Sequence, residues 1–414
     1  MATIVVLESL TFGLSRLAEA VRSRGHDLVL LARDPDWYWY ELEVEIPRRG
    51  LAPVPVRVCE TFDRDEVLRE IATLADVRGL IANTDTWGLA GAEIAAALGL
   101  PTRDPRLFCD LRNKTRVRNS LYSKELSPAP ASELAASAVT AGQLQELIAS
   151  APSGHIIVKD AAGTGSENVW LATSGTAASV ATEVSAAARN GRLRSQTVTC
   201  EPYFEGELFS AETVSFEGEH RFLAVSGRIT SSFPGFRENA AVTPVSTTGR
   251  LAGVEEWVSR VLTAVGYDTG FAHTEFVVGP DGFEVIEVNP RLGGVTIGEA
   301  LSRALQVNIY DALVDIALGE RPRLMDLEAA PRSCVAQWVL YPDRAGEFVS
   351  VRDRLSGAPL ATGEWFPTKR VGVQLPDPVD QRASVGMLVV EEASADLAIL
   401  RMLSRQNAVE VVVA

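Results

Sequence analysis

The chain has 414 residues, 46% of them hydrophobic and 22% charged, with a formal net charge of −15. That length exceeds one ordinary core, so two to four packed subdomains are expected. The acidic balance argues against nucleic acid, and no apolar run approaches the roughly 18–20 residues of a membrane span.

The chain begins with a β-branched run over residues 3–7, which reads as a first strand rather than a signal peptide. Leu14, Leu17, Ala18 and Val21 then recur at helical spacing until Gly25, and a second strand covers 27–32. Strand, helix and strand in this length form a βαβ unit with a parallel sheet. The stretch 10–13 has too few glycines for a dinucleotide fingerprint. For the aromatic run Trp37-Tyr38-Trp39-Tyr40, packing of an edge or loop onto the sheet outweighs a substrate platform. A helix over 65–75, a strand over 79–83 and a helix over 88–98 follow, the last ended by Gly99 and Pro101. An open α/β domain is therefore expected over 1–108.

A basic helix opens at 109–116 and contains Lys114 and Arg118. Thr140 and Gln143 form a capping box for a helix to about residue 149. A strand over 156–159 runs into a small loop with Gly163, Thr164, Gly165 and Ser166. Its glycines let successive N–H groups face one anion, and Lys159 can reach the same anion. It is not a P-loop, because no Gly-Lys-Ser/Thr follows. Residues 198–214 read as an acidic strand, turn and strand. In the loop 230–239, Phe233, Phe236 and Arg237 sit together, and an ordinary loop anchor is favoured over a substrate contact. A helix over 254–265 stops at Gly266.

Residues 273–296 are the most informative stretch. Two apolar runs flank a Gly-Pro-Asp-Gly turn at 279–282, which is a hairpin pattern. Alternation places Glu287, Asn289 and Arg291 on one face of the second strand and its exit, and Glu275 can meet them across the turn. Two carboxylates and a carboxamide are hard oxygen donors suited to Mg²⁺, which keeps water and phosphate oxygens as further partners. Arg291 is placed to hold a phosphate bidentately. A solvated surface hairpin is disfavoured, because Glu287 and Asn289 interleave with Val285, Ile286 and Val288. His273 shares the strand face of Glu275 and by default is structural. Small residues at 292–296 suggest an acceptor pocket. A helix over 298–317 and short strands from residue 325 complete the chain. The four cysteines, Cys59, Cys109, Cys200 and Cys334, lack metal-ligand spacing and read as buried free thiols in a reducing cytoplasm.

Taken in order, these blocks resemble the ATP-grasp superfamily, in particular the amino-acid ligase branch of bacterial dipeptide synthases and carnosine synthase. The resemblance covers nearly the whole chain. It implies an α/β ATP-grasp fold: an N-terminal open parallel domain (1–108), a small lobe with the Gly-rich loop (109–197), a large lobe with the metal hairpin (198–324) and a C-terminal β-rich lid (325–414). It further implies ATP and Mg²⁺ as cofactors, with Mn²⁺ as a substitute, and small-molecule carboxylate and amine partners. A homodimer is expected by analogy. Lys114 and Lys159 would serve the phosphates with Gly163, Thr164, Gly165 and Ser166. Glu201, Tyr203 and Phe204 would form the adenine hinge, and Glu207 would take the ribose hydroxyls. Glu275, Glu287 and Asn289 would hold the metal. Arg291 and, with less weight, His273 would act on the intermediate. Asn113 departs from the pattern, which carries aspartate there, and the role of Glu212 stays open. The implied reaction joins an acid to an amine through an acyl-phosphate, releasing ADP and phosphate. The alternatives are a bicarbonate-using carboxylase and a non-catalytic ATP-binding regulator.

Overall fold

The computed structural model describes residues 2–163, 168–231, 237–280, 282–328, 330–360, 363, 365–378 and 381–414. Four parallel strands, β1 (Thr3–Leu7), β2 (Asp27–Ala32), β3 (Val56–Val58) and β4 (Val77–Ile81), form a first sheet in the order β3-β2-β1-β4. In β1, Ile4 and Val6 pack into one core and Val5 and Leu7 into another. A strand buried on both faces reads as a continuous apolar run, which explains its sequence. Of the aromatic run, Tyr38 and Tyr40 turn inward, their hydroxyls donating to Glu8 and to Glu45 at 2.5 and 2.8 Å, while Trp37 remains 73% exposed.

The second sheet contains β5 (Ser132–Ala135), β6 (Ile156–Asp160), β7 (Val169–Ala172) and β8 (Thr197–Pro202), ordered β5-β8-β6-β7. Helices Ala141–Ser150 and Ala177–Arg189 supply the apolar side chains that cover it, and the Thr140–Gln143 capping box is formed. The basic helix differs from its expected form. It is split into Pro105–Arg112 and Lys114–Ser123 by Asn113, whose side chain accepts from the Arg116 N–H at 2.9 Å. Asparagine caps a helix about as well as aspartate, so the departure at this position is accommodated locally.

The large sheet has eight strands in the order β13-β12-β9-β10-β11-β14-β18-β16. Its members are β9 (Glu207–Phe216), β10 (Glu219–Thr230), β11 (Glu238–Thr243), β12 (Gly270–Gly279), β13 (Gly282–Asn289), β14 (Cys334–Leu340), β16 (Trp365–Pro367) and β18 (Gly386–Glu392). The strand β14 pairs with β11, so the C-terminal region continues this sheet instead of standing apart from it. A small sheet of β15 (Gly346–Asp353), β17 (Gln374–Leu375) and β19 (Val409–Val413) packs beside it.

Two further sequence expectations change. The helix expected over 298–317 is two helices, Ile297–Leu305 and Asp311–Ala317. Gln306 adopts a left-handed conformation (φ 55°), and the N–H groups of Gln306 and Val307 return to Arg303 and Ser302. This cap needs neither Gly nor Pro, so no sequence signal marked it. In the segment 292–296, Leu292, Gly293 and Thr296 are buried and Gly294 and Val295 are partly exposed. All four cysteines are free, but only Cys59 and Cys200 are buried, and Cys109 is exposed.

Candidate active site

The hairpin forms as the alternation requires, with Gly279 opposite Gly282 at its turn; Asp281 lies outside the described residues. Its register sets Glu275 directly opposite Glu287 and His273 directly opposite Asn289. Directly opposed residues place their Cβ atoms about 4.5–5.5 Å apart, so the four side chains share one patch of one face. The register shifts just beyond Glu275, where Phe276 pairs with Val285, and leaves Ile286 as an extra residue. Its carbonyl accepts from Lys159 Nζ at 3.4 Å.

Each carboxylate is matched by a cation from another element. Lys114 Nζ lies 3.1 Å from Glu287 Oε1 and also donates to Gly163 O at 2.8 Å. Arg228 on β10 places Nη1 2.5 Å from Glu275 Oε1 and Nη2 2.9 Å from Glu238 Oε2. Burial alone would raise the Glu275 carboxyl, but Arg228 and His273 outweigh it and hold it far below the usual carboxylate range. His273 bonds Glu212 through Nδ1 and lies 3.3 Å from Glu275 through Nε2. Burial would lower the ring's pKa, yet Glu212 and Glu275 raise it to about 9, so it carries a charge near neutral pH. Glu212, left without a role by sequence, is fully buried and also accepts from the Gly293 N–H at 3.1 Å. A Cβ on Gly293 would lie 2.8 Å from Ile297 Cγ2 and 2.9 Å from both Glu212 Oε1 and His273 Nδ1, so any side chain there would displace these groups.

Beside this patch, between helix Lys114–Ser123 and the hairpin, lies a narrow cleft with a cavity volume of about 10 Å³. Leu111, Val117, Leu121, Val285 and Val288 give it apolar walls, and Lys114, Arg118, Glu201 and Glu287 give it polar ones. Glu201 is buried and bonded by Lys159, with Arg118 at 3.4 Å. Burial would raise its pKa, but these two cations lower it. Arg118 also bonds Glu284 and the Val285 carbonyl and lies over the Phe204 ring at 5.0 Å. The Tyr203 N–H donates to His155 O at 3.0 Å. Glu207 is exposed and closed onto Arg250 at the far end of β9, opposite Val278.

Arg291, just past β13, lies 2.6 Å from Asp85 Oδ2 through Nη2 and donates to Leu292 O through Nη1 at 3.0 Å; its Nε is buried without a partner. Thus Lys114, Lys159, Gly163, Glu201, Glu287 and Glu275 are linked by contacts, while Arg291 bonds Asp85 and Leu292 and feels the charges of Glu287 and Glu275. Thr164, Gly165, Ser166, Phe233 and Phe236 lie outside the described residues. Arg237 is an anchor: it stacks on Tyr341 at 4.0 Å and bonds Pro378 O. Sequence reasoning missed Arg228, Asp85 and Glu284, because a single charged residue on a strand or loop carries no spacing signal.

Residues 156–299 match the family model described as "ATP-grasp domain". The chain therefore contains an ATP-grasp domain. This ATP-grasp protein is 26% identical over 367 residues to the uncharacterized protein y4rH of Sinorhizobium fredii, covering 86% of this chain and 72% of that one. Its fold is similar to that of an L-amino acid ligase from Bacillus licheniformis, with TM-score 0.80 and 18% identity over 100% and 99% of the two chains. It is also similar to phosphoribosylglycinamide synthetase from Anaerococcus prevotii (TM-score 0.72, 13% identity, 100% of both chains). A biotin carboxylase from Campylobacter jejuni gives TM-score 0.73 at 13% identity over 99% and 92%. At these identities the structures show the ATP-grasp fold alone. Among the described residues of this ATP-grasp chain, no helix is long and apolar enough to cross a membrane.

Proposed function

We propose that this ATP-grasp protein is an ATP-dependent ligase that joins a small carboxylic acid, of amino-acid type, to an amine and releases ADP and phosphate. The observation that carries the reading is the register of the hairpin, which opposes Glu275 to Glu287 and sets Asn289 beside them, at the edge of a cleft furnished with Lys114 and Lys159.

The donor set fits Mg²⁺. Among the described residues no three His, Cys, Asp or Glu side chains are grouped so as to hold a metal ion by themselves. Two carboxylates and one carboxamide leave coordination positions for phosphate oxygens, which is how Mg²⁺ is commonly held at nucleotide sites. When bound there by Glu275, Glu287 and Asn289, the ion supplies charge neutralisation and alignment of the phosphates. The apolar walls of the cleft have the character that a purine ring needs, and the cleft must widen from its present volume of about 10 Å³ to admit one. Lys114 and Lys159 exchange their carboxylate partners for phosphate oxygens.

A carboxylate resists attack by an amine because its oxygen is a poor leaving group. Transfer of the γ-phosphoryl group to that oxygen gives an acyl-phosphate. The amine then attacks the acyl carbon, phosphate departs with the C–O bond pair, and the nitrogen loses a proton. Arg291, whose buried Nε–H has no protein partner, is the donor we assign to the phosphoryl oxygens and the developing oxyanion. His273, fixed by Glu212, holds its ring beside Glu275.

The test is ADP release from Mg²⁺-ATP across pairs of amino acids. Release that requires both an acid and an amine is expected. Release driven by bicarbonate alone would replace this reading with a carboxylase, and tight nucleotide binding without turnover would replace it with a regulator.

A further inference from the structure

Three consecutive residues at the exit of β13 are each held by the first domain. Arg103 Nη1 donates to Pro290 O at 3.0 Å, Asp85 Oδ2 lies 2.6 Å from Arg291 Nη2, and Asn83 Oδ1 accepts from the Leu292 N–H at 3.2 Å. Asn83 and Asp85 follow directly from the C-terminal end of β4, where open parallel sheets place their functional side chains. The Asp85 backbone is itself tied down, its carbonyl accepting from Arg112 Nη1 at 2.6 Å. The grip involves a fixed hydrogen-bond acceptor, a fixed donor and a charge pair, all separated from their partners by roughly two hundred residues of sequence.

We infer that Asp85 is a positioning residue, which aims the Arg291 guanidinium so that its unpaired Nε–H faces the anion formed at the reacting centre. The inference rests on the ligase reading for the identity of that anion. A guanidinium has five N–H donors in a rigid fork, so fixing one Nη on Asp85 and the other on Leu292 O sets the direction of the remaining edge. The buried Nε without a partner is the atom this arrangement leaves for a ligand. The first domain thereby completes the site: without it the motif's arginine has a charge but no aim.

The experiment titrates inorganic phosphate onto ADP-loaded protein by calorimetry and measures ADP release in parallel, for wild type, Asp85→Asn, Asp85→Glu, Arg291→Ala and Asp85→Asn/Arg291→Ala. Removing the Asp85 charge takes a negative group away from the anion, so an electrostatic role alone would tighten phosphate binding. Positioning predicts the opposite sign: weaker phosphate binding, kcat lower by about 10- to 100-fold, unchanged ADP affinity, partial rescue by Asp85→Glu, and no added loss in the Arg291→Ala background. Equal or tighter phosphate binding by Asp85→Asn would overturn the proposal, as would an equal further loss in the Arg291→Ala background. Wild type that binds no phosphate would also overturn it. Wild type that binds ADP and phosphate but turns over no acid and amine pair would defeat the ligase reading alone, and the phosphate titration would still decide the role of Asp85. Urea unfolding of Asp85→Asn separates loss of fold from loss of aim.

Discussion

Glu275 on β12 stands directly opposite Glu287 on β13, and the two carboxylates are neutralised by cations from different elements, one by Arg228 of β10, two strands from β12, and one by Lys114 of helix Lys114–Ser123. Two acidic groups at that spacing repel unless a cation lies between or beside them. On the proposed reading these two carboxylates receive a divalent ion, and each of their present cations moves to a phosphate.

The first prediction follows from that exchange. Glu287→Gln keeps the shape of the side chain and removes one charge, so turnover should fall by about 100-fold or more, while the urea midpoint stays close to that of wild type. Stopped ADP release with an unchanged unfolding curve is the expected pair of results.

Arg118 is only 2% exposed and bonded to Glu284, with Glu201 and the Val285 carbonyl beside it. Replacing it by Met would leave buried carboxylates short of a partner, with a cost of about 3–5 kcal/mol. Equilibrium urea unfolding should show that loss, and the Glu284→Gln/Arg118→Met pair should recover part of it.

Gly293 lies against the Glu212–His273 pair. Gly293→Ala should push that pair apart, lower stability by about 1–3 kcal/mol, and reduce turnover more than nucleotide affinity. Thermal unfolding and ADP titration together check this.

Glu299 gives a pH prediction. It pairs with Arg16 at 2.5 Å and with Arg303 at 2.8 Å, linking the first domain to helix Ile297–Leu305. Burial raises its carboxyl pKa, but Arg16 and then Arg303 outweigh this and lower it from 4.5 to about 2. Because the folded value lies below the unfolded one, the stabilisation is full above about 4.5 and disappears as pH falls toward 2. At pH 7 Glu299→Gln should be less stable than wild type by about 3 kcal/mol, and the gap should close through that window in urea titrations.

Much of the hairpin was legible because its logic is local. A Gly-Pro-Asp-Gly turn fixes the pairing, and alternation fixes the face shared by Glu275, Glu287 and Asn289. The parallel first domain was legible in the same way, from one βαβ unit. What was not legible depends on pairing across long separations. Nothing near Arg228 signals that its strand will lie beside β9 and bring it to Glu275, and nothing near Asp85 signals Arg291. The addition of β14 to β11 is likewise a choice of sheet partner that strand propensity does not encode. The break at Gln306 was hidden because a left-handed non-Gly residue supplied it.

The most direct test of the central claim is an anomalous-scattering map from crystals grown with Mn²⁺ and ADP. The account predicts a peak within about 2.0–2.3 Å of oxygens from Glu275, Glu287 and Asn289, with Arg228 and Lys114 displaced from their present carboxylate partners. Bound ADP with the manganese peak elsewhere, and Glu275 still paired to Arg228, would contradict it.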